Sequence, residues 1–154
     1  MELSEIMEQF AQKIGLADFA PDADGSYRLA IDDMTVSFVD EGESRTLATY
    51  AEIGDPPPEG VTALYRVLME AMFMGQATCG SAFSVEPNSG KIFLHRVDSL
   101  AALDADAFSA MLEKFVNVLE QWRKLIADFR PVAGEVEKVL SDEPPMLGSG
   151  FMQV

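Results

Sequence analysis

Histidine, cysteine and tryptophan each occur once in this chain of 154 residues, and basic residues are scarce, with Lys and Arg totalling 11 against 26 Asp and Glu. A lone Cys79 has no partner for an internal disulfide, and it fits a reducing compartment. Metal sites built on His or Cys want several such ligands at set spacings, which His95 and Cys79 cannot supply. A formal charge of -15 argues against nucleic acid and anionic membrane surfaces as partners, since both call for a basic patch. No window reaches the ~18 apolar residues of a membrane span. The opening MELSEIMEQF has neither a basic n-region nor a long apolar run, so no signal peptide is expected. The glycines at 75, 80 and 90 form neither GxGxxG nor GxxxxGK, so no phosphate-cradling loop is expected.

The carboxylates are plentiful, but they sit where local structure explains them. Asp32-Asp33 and Glu41 with Glu43 fall in turns, and Asp104 with Asp106 at a helix start. An acid–base pair assembled from distant residues stays open on sequence grounds. The expectation is a protein that is not an enzyme and that carries no catalytic residue, metal or cofactor.

What the chain does have is an apolar stretch at 61–74, VTALYRVLMEAMFM, bounded by Pro56, Pro57, Pro58 and Gly60 before it and Gly75 after it. Wound as a helix, Thr62, Arg66 and Glu70 form one narrow polar stripe, and nearly everything else is apolar. A surface helix ordinarily carries an apolar stripe a little over 100° wide. This one needs cover on two sides. Its own sheet can supply one side, and a second copy of the chain is expected to supply the other. Tyr65, Leu68, Met69, Met72 and Phe73 are the expected dimer contacts.

Around that stretch the elements follow from periodicity. Leu3, Ile6, Met7, Phe10, Ala11 and Ile14 recur at helical spacing, with Ser4 as the expected N-cap and Gly15 as the C-terminal stop, which predicts a helix over 3–14. Residues 26–53 alternate with period two and turn at Asp32-Asp33 and again at 41–44, a three-stranded antiparallel meander. Residues 81–86 and 91–97 form a second hairpin across Pro87-Asn88-Ser89-Gly90. Cys79 reads as a small apolar residue at the start of that hairpin's first strand. Asp104 caps a long helix whose seam runs through Phe108, Leu112, Phe115, Leu119, Trp122, Ile126 and Phe129 and which stops at Pro131. The fold class is α+β, helices packed on an antiparallel sheet in the order αβββαββα. Residues 1–131 are read as one domain and 132–154, with Pro144, Pro145, Gly148 and Gly150, as a flexible acidic C-terminal tail.

Three phrases and the order of elements resemble a known family. Leu68-Met69-Glu70-Ala71-Met72-Phe73, then Gly80-Ser81-Ala82-Phe83-Ser84-Val85-Glu86, then Ser89-Gly90-Lys91-Ile92-Phe93-Leu94, together with a closing helix bearing Phe115 and Trp122, are similar to the class I type III secretion chaperones of the Tir-chaperone (CesT-like) family. The family often carries asparagine where Met72 stands. The resemblance covers roughly residues 1–130 and implies a small, acidic, cytoplasmic bacterial homodimer. Such a chaperone uses no ATP and holds the N-terminal region of a secreted effector in extended form. That task needs apolar grooves and a free strand edge. By elimination, the first helix and first meander are the expected client surface, with Ile6, Phe10, Ile31, Val36 and Phe38 as its residues. Two other classes remain open at this point: an adaptor or regulatory domain of the same fold, and a small carboxylate-based enzyme.

Overall fold

The computed structural model describes residues 1–131, so the expected tail at 132–154 lies outside the described residues. Helix α1 spans Leu3–Ile14. Its cap lies two residues before the expected Ser4: Glu2 is the N-cap, and Glu2 and Glu5 close a reciprocal capping box. At the other end Gly15 takes φ 71°, which lets the Leu16 N–H reach back to the Ala11 carbonyl at 2.8 Å.

The sheet has five strands: β1 (Tyr27–Ile31), β2 (Met34–Asp40), β3 (Thr46–Gly54), β4 (Ala82–Val85) and β5 (Ile92–Ser99). All neighbours are antiparallel, in the spatial order β1-β2-β3-β5-β4. The two-residue turn at Asp32-Asp33 sets the first register, pairing Ile31 with Met34, Leu29 with Val36 and Tyr27 with Phe38. Strand pleating then sends alternate residues to one face. Leu29, Val36, Phe38, Leu47, Ala51, Ile92 and Leu94 are all buried there.

Three helices cover that face. Helix α2 is Val61–Ala71 and helix α3 is Ala105–Ala127. The Asp104 carboxylate accepts the Ala107 N–H at 2.8 Å and starts α3. The expected seam of α3 is in the core from Phe108 to Ile126, with Phe129 packed beside it, although the helix closes at Ala127, ahead of Pro131. Edge-to-face rings knit the layers. Phe108 meets Phe10 at 5.0 Å and Phe38 at 5.2 Å, and Trp122 meets Phe83 at 5.0 Å.

Helix α2 is shorter than its apolar run. It ends at Ala71, and a 3-10 turn at Phe73–Gly75 follows, with Met74 at φ 58°. At its start Gly60 takes φ 77°, and a Cβ there would come within 2.7 Å of the Pro131 ring, so only glycine lets the two segments cross. Cys79 is exposed in a turn ahead of β4, not within the strand, and its carbonyl accepts from Arg96 at 3.4 Å.

Candidate functional site

Two surfaces of this fold are left incomplete by the chain itself. The first lies where α2 passes the β4–β5 hairpin. Tyr65, Leu68, Met69 and Met72 form one wall of a groove, and Phe83, Val85 and Ile92 the other, enclosing about 240 Å³. The Phe83 N–H points at the Met72 sulfur, 3.1 Å away, so the thioether also occupies a backbone donor at the start of β4. Met69, Phe73 and Met74 stand in solvent beside the groove, 67%, 77% and 77% exposed. The Arg66 guanidinium and Glu70 carboxylate border this face as an ion pair at 3.0 Å.

These positions divide the five expected dimer residues. Met69 and Phe73 are open, Tyr65 and Met72 line the groove half-buried, and Leu68 turns into the protein's own core at 3% exposure. The groove's second wall has no signature in the sequence near α2. It comes from a hairpin ten or more residues further on, and only folding brings it there.

The second surface is the outer edge of β1. With Ile31 and Met34 closing a two-residue turn, Tyr27, Leu29 and Ile31 exchange backbone bonds with β2, and the N–H and C=O groups of Arg28 and Ala30 point away from the sheet. Among the described residues no backbone bond reaches them from outside. The edge is flanked by carboxylates. Asp22 and Asp24 pair with Arg28. The Ser26 hydroxyl and N–H, donating to Asp24 at 2.6 and 3.0 Å, hold its carboxyl below the usual range, with the Arg28 charge adding to the effect. At the far end of the hairpin, Arg123 of α3 grips Asp33 with two bonds of 3.0 and 2.9 Å, and that guanidinium lowers the Asp33 pKa.

The expected client residues fall mostly elsewhere. Ile6, Val36 and Phe38 are fully buried and Phe10 is 4% exposed, so the groove expected on α1 is filled by the protein's own core. The apolar stripe of α1 packs on α3 and the sheet, and the helix shows solvent Ser4, Glu5, Glu8, Gln9, Gln12 and Lys13, with Ile14 51% exposed at its C-terminal end. Ile31, half-buried at the end of β1, is the one member of the set that reaches the open edge. No group of three or more His, Cys, Asp or Glu positioned to hold a metal ion occurs among the described residues, and no helix there is long and apolar enough to cross a membrane.

Comparison with known proteins bears on this geometry. The model of the Tir chaperone protein (CesT) family matches residues 5–123. A Chlamydia pneumoniae protein is 27% identical over 122 residues, which is 78% of this chain and 92% of that relative. Among solved structures, a chain of the ExsC-ExsE complex superimposes with a TM-score of 0.69 at 22% identity, over 82% of this chain and 97% of that one. A chain of the HopA1-SchA chaperone-effector complex gives 0.67 at 12% identity, over 80% and 98%. One from the Yersinia pestis type III secretion chaperone SycH with a fragment of YscM2 gives 0.60 at 17%, over 77% and 97%. At such identities the structural likeness speaks for the fold.

Proposed function

We propose a function from the premise that this chain belongs to the Tir chaperone protein (CesT) family. The protein is a type III secretion chaperone of the bacterial cytoplasm. It binds the N-terminal region of a secreted effector in extended form, without ATP, and keeps it competent for secretion. It works as a homodimer, and it acts by binding rather than by catalysis. The observation that carries this reading is the family match across residues 5–123. The fold shared with chains of chaperone–effector complexes supports it, and so does the unpaired outer edge of β1.

The client's place on this chain follows from the two open surfaces. An extended segment adds to β1, where the outward backbone groups of Arg28 and Ala30 take the place of a sixth strand's partners. Ile31 contributes apolar contact beside it. Asp22 and Asp24 line the same edge, and a client segment bearing lysine or arginine is favoured there.

Amide hydrogen exchange tests this, with the N-terminal hundred or so residues of a secreted protein encoded beside the chaperone as the probe. The amides of Arg28 and Ala30 gain protection on complex formation in the absence of nucleotide. Protection confined to a compact patch away from every strand edge would instead mark an adaptor that grips a folded partner.

A further inference from the structure

The end of α2 is built as a knob next to a hole. We infer that Phe73 of one subunit fills the groove between α2 and the β4–β5 hairpin of a second copy, and the reverse, so that this reciprocal insertion is the centre of the dimer. The inference rests on the reading of the protein as a homodimer and names the contact that holds it.

The chain's own backbone keeps the Phe73 ring out of its core. Met74 adopts φ 58°, a conformation a side chain as bulky as methionine rarely takes, and it ends the helical path directly after Phe73. The ring is left 77% exposed, whereas the other aromatic side chains among the described residues are buried or half-buried. The groove offers about 240 Å³ between Tyr65, Met69 and Met72 on one side and Phe83, Val85 and Ile92 on the other. An apolar cavity of about 150 Å³ is enough to take up benzene.

The arrangement is self-complementary. Met69 lines the groove and also the hollow beside Phe73, so a two-fold axis passing near Met69 brings each ring to the other subunit's hole. The adjoining side chains, Met69, Met74 and Val85 at 67%, 77% and 42% exposed, extend the contact into the apolar centre that an interface of roughly 800 Å² per partner needs. Two chains of -15 repel, and the ion pair of the bordering Glu70 with Arg66 at 3.0 Å lessens that repulsion locally.

Sedimentation of the full chain and of Phe73→Ala tests the inference, with thermal melting to check the fold. Because the ring is exposed in the single chain, the variant keeps a cooperative melt, with a midpoint lowered only by the loss of dimer contacts. Its dimer dissociation constant rises roughly a hundredfold or more, since each dimer loses two buried rings. A second measurement uses Phe73→Cys and Val85→Cys, each in a Cys79→Ser background, mixed and oxidised. A disulfide forms between the two different chains if ring and groove meet. A wild-type dimer that survives Phe73→Ala unchanged, without the crosslink, overturns the insertion and leaves the homodimer standing. A wild type that stays monomeric at about 100 µM overturns both. A dimer that survives while the effector fragment no longer binds overturns the insertion in favour of the client.

Discussion

Phe10 and Phe73 both belong to stretches of apolar pattern, and their fates are opposite. Phe10 is sealed between the sheet and Phe108, whereas Phe73 stands in water. A Phe10→Asp substitution loses a buried ring worth about 3–5 kcal/mol and places an unpaired carboxylate in the core. That is most of a domain's margin of about 5–15 kcal/mol. Circular dichroism is expected to show a chain without a cooperative melt. At the surface, Asp33 offers a test in pH. Its folded pKa is lowered by Arg123, so the stabilisation is present in full above the ordinary carboxylate value and fades as pH falls through the lowered one. The melting temperature of Asp33→Asn should therefore sit below that of the wild type at neutral pH, and the two should converge in acid below about pH 4.

The strands show why one edge serves a partner and the other does not. Strand β4 has only four residues, and the Met72 sulfur takes its first outward N–H. Strand β1 has five, with both outward residues, Arg28 and Ala30, exposed and unbonded on the backbone. Short, capped edges resist added strands, and longer open ones accept them. Ala30→Pro removes one outward N–H and leaves the bonds to β2 in place. The variant is expected to keep its far-UV spectrum and to bind the effector fragment about tenfold or more weakly by titration calorimetry. Binding equal to the wild type's would move the client off this edge. The helices divide in the same way: α3 is consumed by the core along its whole seam, and α2 is only half used.

Taken whole, the molecule carries a charge of -15 and keeps an apolar face in water. Mutual repulsion between copies acts at long range, while the apolar face supplies attraction only on contact. The same field draws in a basic client segment at long range and is screened over about 8–10 Å at physiological salt. Stopped-flow mixing with the effector fragment should show an association rate that falls as salt rises and a dissociation rate that changes little. The domain itself is proposed to end at residue 131, where Pro131 packs on Gly60. A chain cut after Pro131 retains that contact and is expected to melt within ten degrees of the full-length protein, as followed by calorimetry.

The amino-acid order alone determined the list of elements and their sequence along the chain, because period-two and helical spacing, the Asp32-Asp33 and Asn88-Ser89-Gly90 turns and the Asp104 cap are local properties. It also marked α2 as over-apolar, since the excess can be counted without knowing what lies beside it. Which apolar faces stay open was decided only by the tertiary structure. Periodicity records that one side of α1 is apolar, but it does not say that Phe108 of α3 and Phe38 of β2 close over it. Likewise Leu68 and Phe73 belong to the same run, and its near-uniform apolarity does not say which of them meets the chain's own core. The end of α2 at Ala71 and the arrival of Phe83, Val85 and Ile92 from a later hairpin separate them, one into the core and one into water.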